Sequence, residues 1–393
     1  PPSAPPQSPP AAPEINPPAT KYDYLYPPLD DDKFQEKIAR RKEFRDASYD
    51  GNIDDVSEMS DKLCNAEYEL APHQQFVRNF LSSQTPYNSL LLYHGLGTGK
   101  TCSAITVAEE ARDFIKNSRT SNGNKIIVVA SPNVQENFRL QLFNEENLNP
   151  YSDAYGWTLK NSCVGNKFIR EIAHSNNGML FKKDEKNVLI RKINRIIDNN
   201  YMFKGYEQFY NYFEKKIVIS SKLDTKTQQK MFKQKIKKMF SNSVIIIDEA
   251  HNLRSENENS EKNDDTQRKK MLKGVTLILE RLADNADNLK LLLLSATPMY
   301  NSPKEIIALL NLMNRNDGRR TIRSDQVFDS SGNFLVSDNG LEIGRELLES
   351  QAQGYVSFVR GENPYTFPYR IWPSNFEPKS SIHNNNKPTF KLN

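Results

Sequence analysis

The chain of 393 residues has only three cysteines, Cys64, Cys102 and Cys163, and five histidines. Cysteines so few, odd in number and far apart imply neither a disulfide framework nor a zinc site, and they suit a reducing compartment. The histidines show no metal-ligand spacing. No apolar run approaches the roughly 20 residues that span a bilayer, and no secretory signal is visible. A net charge of +4 excludes a polycation that would coat nucleic acid indiscriminately. Hydrophobic residues are also scarce, at 37%. Polar insertions and a proline-thick start dilute them. Residues 1–28 favour extended polyproline and cannot bury a core. Tyr22–Pro28 is the sticky exception there, and Phe34–Phe44 reads as a helix with Phe34, Ile38 and Phe44 partly on one face.

Three short strings carry chemistry, each behind an apolar run of strand length. Ser89-Leu90-Leu91-Leu92-Tyr93 precedes Gly95-Leu96-Gly97-Thr98-Gly99-Lys100-Thr101, and helical character follows from Cys102. Glycines let successive N–H groups converge on an anion at a helix N-terminus. Lys100 then reaches the β- and γ-phosphates of a nucleotide, and the Thr101 hydroxyl ligates Mg²⁺. The standard spacing wants glycine at position 94, where this chain has His94.

Val244-Ile245-Ile246-Ile247 has the composition of a strand buried on both faces, and Asp248-Glu249-Ala250-His251 follows it. Asp248, at the carboxyl end of a strand, is placed to hold Mg²⁺ through water. Glu249 is placed to polarise the attacking water, and His251 to couple the site to its neighbours. Leu291-Leu292-Leu293-Leu294 then leads into Ser295-Ala296-Thr297. Those two hydroxyls suit a link from the acidic box to a nucleic-acid face. Their order and context imply a nucleic-acid-dependent NTPase motor.

With these strings the chain resembles superfamily 2 DExH-box helicases in the branch that includes the Swi2/Snf2 translocases. Within it, the chain is similar to helicase-like ATPases of large nucleocytoplasmic DNA viruses, related to the poxvirus early transcription factor small subunit and nucleoside triphosphatase I. The resemblance covers roughly residues 22–373. It extends to Leu70-Ala71-Pro72-His73-Gln74, which looks like an adenine-side motif with Gln74 reading the base. It also includes Lys125 to Asn133, where Ser131, Pro132 and Asn133 would contact the nucleic-acid backbone. Asp248 to Arg254, Ala296 to Asn301 and Gly354 to Pro364 read like the viral group as well.

The resemblance implies ATP and Mg²⁺, DNA more than RNA as the track, and a host-cytoplasmic or virion location. Viral RNA polymerase or transcription-factor subunits are implied partners, and no membrane is. It also implies a second RecA-like lobe that supplies arginines to the γ-phosphate. The one superficial candidate for those arginines, Asp317 to Arg323, lacks the glutamine and the spacing and reads as a basic loop. A start at Pro1 rather than methionine fits a chain truncated at both ends, with the second lobe beyond residue 393.

The expected fold is α/β: a RecA-like P-loop NTPase lobe with a mainly parallel sheet between helical layers, and strands near 90, 127, 217, 245 and 292. Expected divisions are a tail at 1–28, a helical extension at 29–62, the lobe at 63–310, and an insertion or linker at 311–393 with a turn at Asp329–Asn333. The basic stretch Lys230–Lys238 suits either a phosphate-facing helix or a solvated helix face. The aromatics of Tyr201–Tyr210 suit core packing more than base stacking. Residues 255–270 read as a loop. Three functions fit: a viral helicase or translocase, an ATP-switched transcription-factor subunit, and a restriction-type DNA motor. Without the second lobe's arginines, slow ATP turnover is expected of this chain alone.

Overall fold

The computed structural model describes residues 26–48, 70–95, 97–117, 125–150, 156–175, 185–217, 225–253, 265–299 and 302–359. Short helices α1 (Phe34–Arg40) and α2 (Lys42–Arg45) lead to α3 (Pro72–Phe80), strand β1 (Ser89–His94) and helix α4 (Lys100–Asn117). Then come β2 (Ile126–Val129), α5 (Pro132–Leu142), a small pair β3 (Leu148–Pro150) and β4 (Trp157–Leu159), α6 (Lys167–Ser175), α7 (Lys186–Asn200), β5 (Tyr201–Lys204) and α8 (Tyr206–Lys216). The series closes with α9 (Thr225–Phe240), β6 (Val244–Ile247), α10 (Asp265–Asn285), β7 (Lys290–Ser295), α11 (Ile306–Asn316), α12 (Ile343–Ala352) and β8 (Val356–Val359).

Six strands form one sheet in the order β5-β2-β6-β7-β1-β8, with every pairing parallel. Strand side chains alternate between faces, so a sheet buried on both sides divides its hydrophobics into two sets. Leu90, Leu92, Ile126, Val128, Val244, Ile246, Leu292 and Leu294 join one core, with α1 to α7. Leu91, Ile127, Val129, Ile245, Ile247, Leu291 and Leu293 join the other, with α8 to α11. The expected three-layer architecture is therefore present, and this is why the strands read as continuous apolar runs rather than alternating ones.

Four details differ from expectation. Among the described residues no strand lies near 217: Ile217 caps the C-terminus of α8, and residues 218–224 lie outside the described set. The sheet instead takes Tyr201–Lys204, part of the aromatic stretch suited to core packing. Tyr201 is buried there and Phe203 half-buried against the Arg139 guanidinium. Phe34–Phe44 is two helices, since Arg41 is extended at ψ 138°, although Phe34, Ile38 and Phe44 are all buried as expected. Val356–Val359 adds an edge strand against β1.

The fourth concerns the cysteines. Cys102 and Cys163 are disulfide-bonded, with Cα atoms 5.2 Å apart, a single link where the cysteine spacing implied no disulfide framework. The 61 residues between them conceal the proximity in the sequence; α4 and the stretch before α6 bring the two together. Cys64, residues 1–25 and the 255–264 part of the expected loop lie outside the described residues, and its 265–270 part is the start of helix α10 rather than loop.

The remaining insertions pack onto the lobe. Asp329 N–H donates to the Asn333 carbonyl, and Phe328 bridges Phe334, forming the expected turn. The Asp317–Arg323 segment is held by the lobe: Arg319 lies over the Tyr355 ring, and Asn311 bonds the backbone of Ile322 at both its N–H and C=O. Helix α9 buries Ile236 and Phe240, exposes Lys233, Lys237 and Lys238, and pairs Lys237 with Asp287, as a solvated face does.

Candidate functional site

The parallel register brings the three strings to one edge. Tyr93 lies beside Ser295, Ile247 beside Leu293, and Val129 beside Ile247. The chain leaves β1, β6, β7 and β2 at neighbouring points of the carboxyl edge, the place where open α/β sheets bind ligands.

At the first exit the backbone must turn sharply into α4. Gly97 and Gly99 take φ of +77° and +78°, which residues with a side chain rarely adopt. A Cβ at Gly99 would also collide with Gln74 Nε2. Thr98 Oγ1 donates to the Gly95 carbonyl at 2.8 Å and ties the loop internally. Lys100 Nζ donates to the His94 and Gly95 carbonyls, each at 2.9 Å. Burial holds the Lys100 ammonium below its ordinary pKa, while Asp248 and Glu249 draw it back up.

Gln74 is buried beneath this loop rather than projecting freely. Its Oε1 accepts the Ala71 N–H at 3.0 Å, and its Nε2 donates to the Gly99 carbonyl at 3.3 Å. Nearby His73 Nε2 is 2.9 Å from the Thr98 carbonyl, and its ring meets the His94 ring edge-on. His94 is fully buried, with Nε2 2.9 Å from Ser357 Oγ on β8. The histidine that breaks the glycine pattern thus joins the loop to a strand 263 residues away. Nothing in the sequence signals His73, His94 and Ser357 as a group.

At the second exit, Asp248 N–H donates to the Val129 carbonyl, which fixes the end of β6 to β2. Burial, with a further push from Glu249, raises the Asp248 carboxyl to about 6. Glu249 is exposed and has φ +51°. A non-glycine residue held there costs about 1–3 kcal/mol and persists only where its surroundings impose it. His251 Nδ1 lies 3.1 Å from Glu249 Oε2 and 3.2 Å from Ser295 Oγ. Ser295 is buried and its Oγ accepts the Thr297 N–H at 3.1 Å, whereas Ala296 is half-buried and Thr297 exposed. The acidic box and the third string meet through His251.

Ser131, Pro132 and Asn133 are exposed where β2 enters α5, with Ser131 at the N-cap making no side-chain capping bond. They lie on the same sheet edge but not within the cluster of Lys100, Glu249 and His251. Thr101, the first-turn hydroxyl of α4, is half-buried. Tyr206 and Asn252 contact the acidic box as well, and no motif in the sequence points to them. Tyr300, Asn301, Arg254 and Arg360 to Pro364 lie outside the described residues.

This arrangement fits a nucleoside triphosphate with Mg²⁺. Left-handed glycines turn the chain sharply into an 18-residue helix that presents its N-terminus, and Lys100 at its start feels the charges of Asp248 and Glu249. No cluster of three or more His, Cys, Asp or Glu side chains suited to holding a metal by itself occurs among the described residues. Mg²⁺ is commonly held by one or two protein groups together with substrate phosphates.

Residues 67–300 match the family described as the type III restriction enzyme, res subunit. The chain is 25% identical over 367 residues to the putative ATP-dependent RNA helicase L377 of Acanthamoeba polyphaga mimivirus, an alignment covering 88% of this chain and 28% of the relative. It is 24% identical over 428 residues to the early transcription factor large subunit homolog of African swine fever virus, covering 88% of this chain and 35% of that protein. Among solved structures, the Sulfolobus solfataricus SWI2/SNF2 ATPase core in complex with dsDNA aligns with a TM-score of 0.38 and 15% identity, over 75% of this chain and 45% of the other. The chain therefore spans well under half the length of these curated relatives.

Proposed function

The chain belongs to the family of the type III restriction enzyme res subunit, a helicase-like family, and on that premise we propose that it is the ATP-binding lobe of a nucleic-acid-dependent ATPase, a helicase or translocase of a large DNA virus acting in transcription or genome handling. The observation that carries this reading is the contact chain Glu249–His251–Ser295 beside Lys100 on one sheet edge. Lys100 leaves its loop carbonyls to meet the β- and γ-phosphates of ATP, which the amides of Gly97 to Thr101 cradle. Gly95 and Thr98 shape that loop, and Gln74 supports it from below on the adenine side. Thr101 and, through water, Asp248 would hold Mg²⁺, which would neutralise phosphate charge when bound. Glu249 orients the lytic water and accepts its proton. His251 senses the state of Glu249 and passes it to Ser295, Ala296 and Thr297. Ser131, Pro132 and Asn133 contact the backbone of the track, DNA in preference to RNA.

A second lobe with γ-phosphate arginines completes the motor, since such residues contribute about 10³–10⁵-fold in rate. The chain by itself binds ATP and turns it over slowly. The reading places the protein in the host cytoplasm or virion; no helix among the described residues is long and apolar enough to cross a membrane.

Steady-state ATP hydrolysis by the full-length gene product tests the proposal, measured without polymer and with single-stranded DNA, duplex DNA or RNA. Stimulation that Glu249→Gln abolishes is expected, and the most effective polymer identifies the track. Flat activity across all polymers with ATP binding intact overturns the motor reading. It favours instead an ATP-switched transcription-factor subunit, the reading suggested by the similarity to the African swine fever virus protein.

A further inference from the structure

Glu249 stands in the left-handed region at φ +51° although it is not glycine, so its backbone is held in place by its neighbours. The carbonyls on either side of its Cα–N and Cα–C bonds show how. Tyr206 Oη–H donates to the Asp248 carbonyl at 2.7 Å and lies 3.2 Å from the Glu249 carbonyl. The Glu249 carbonyl also accepts the backbone N–H and the side-chain Nδ2–H of Asn252, each at 2.9 Å. Both peptide groups that set the direction of the Glu249 side chain are therefore fixed, one by Tyr206 and the other mainly by Asn252.

Tyr206 is suited to this as a rigid post. It is the first residue of α8, directly after β5, and β5 is held to β2 through four paired positions. The Lys204 carbonyl accepts the Ala130 N–H at 3.0 Å, one residue before Ser131. Burial raises the phenol well above its ordinary pKa, so it remains a donor throughout the working pH range.

We propose that Tyr206 is a positioning residue for hydrolysis: its hydroxyl, with Asn252, holds Glu249 in the strained backbone conformation that aims the carboxylate at the attacking water. This rests on the assignment of Glu249 above. The post stands on the same sheet edge as Ser131–Asn133, so the carboxylate's aim is anchored to the strand that leads into the track-facing segment.

The test compares Tyr206→Phe, Asn252→Ala and Glu249→Gln, alone and combined, in the full-length gene product. Tyr206→Phe keeps the ring and removes only the hydroxyl. Its kcat for ATP hydrolysis is expected to fall roughly tenfold, with KM for ATP and the unfolding midpoint unchanged, because a misaimed group affects the chemical step rather than binding. In the Glu249→Gln background, the same change should alter the residual rate by less than about twofold, since a residue acting through the carboxylate has nothing left to position. Asn252→Ala, on the more exposed side, should give a smaller kcat defect with the same non-additivity, and it serves if the tyrosine variant folds poorly. Equal losses in both backgrounds would overturn the proposal, as would a wild-type kcat for Tyr206→Phe where Glu249→Gln is inactive. Full activity of Glu249→Gln itself would instead overturn the assignment of Glu249, and this inference with it.

Discussion

His94 occupies the position where phosphate loops of this spacing carry glycine, and it is fully buried with Nδ1 lacking a hydrogen-bond partner among the described residues. Burial, with His73 and Lys100 adding to it, pushes its pKa down to about 3. An unfolded chain binds that proton near pH 6.5, so between about 6.5 and 3 the unfolded state holds more protons than the native one. Stability therefore falls as pH drops through this window, by at most ~1.4 kcal/mol per pH unit from this residue. His94→Gln should flatten the slope, read from urea midpoints at several pH values between about 7.5 and 5. An unchanged slope would show that His94 is protonated in the folded protein. At Gly99 two constraints coincide: a φ of +78°, and Gln74 Nε2 lying where a methyl group would have to sit. Gly99→Ala should displace the loop and weaken ATP binding at least about tenfold, measured by equilibrium titration with a fluorescent nucleotide analogue. The glycines, Lys100, Asp248 and Glu249 are legible in the sequence because each string directly follows an apolar run of strand length and the strings come in one order. Tyr206 is not, since an aromatic opening a helix looks the same whether its hydroxyl meets solvent or a carbonyl.

Helix α4 carries more than the glycine loop before it. Arg112 on it is almost wholly buried and bonds Glu109 on the same helix and Glu171 on α6, while the Tyr201 hydroxyl donates to Glu109 at 2.6 Å. Lys167 joins Glu109 and Asp113, and Lys116 joins Glu171. A buried charge is tolerable when fully paired, and removing one partner leaves the rest uncompensated. Arg112→Ala should destabilise the lobe by about 3–5 kcal/mol in chemical denaturation. A loss below about 1 kcal/mol would mean the carboxylates take up protons or water instead. The network fastens the insertion between β2 and β5 to the helix that follows the loop, as the Cys102–Cys163 link does from its other end. Elements with long apolar runs are readable from sequence because burial on both faces demands them. Strand β5, Tyr201-Met202-Phe203-Lys204 with only Tyr201 buried, and edge strand β8, with Val356 and Phe358 exposed, carry no such run.

Across the molecule, one sheet edge gathers residues from four separated stretches of chain, and the chain spans only a fraction of its relatives' length. On the proposed reading, the 393-residue chain should bind ATP yet hydrolyse it at least about a hundredfold more slowly than the stimulated full-length gene product. Comparable rates in single-turnover assays would place the complete catalytic set within these residues. The lobe's class, its glycine loop and its acidic box are already written in the order of residues. Apolar runs, left-handed glycines and charged residues at strand ends follow from local sterics and burial, which neighbouring residues express. Folding was needed to make His251 bridge Glu249 to Ser295, His94 meet Ser357, Cys102 meet Cys163, and Tyr206 prop the backbone of Glu249. Each joins groups that no local pattern pairs, because strand order, register in the parallel sheet and the packing of helices on it set which of them come within reach.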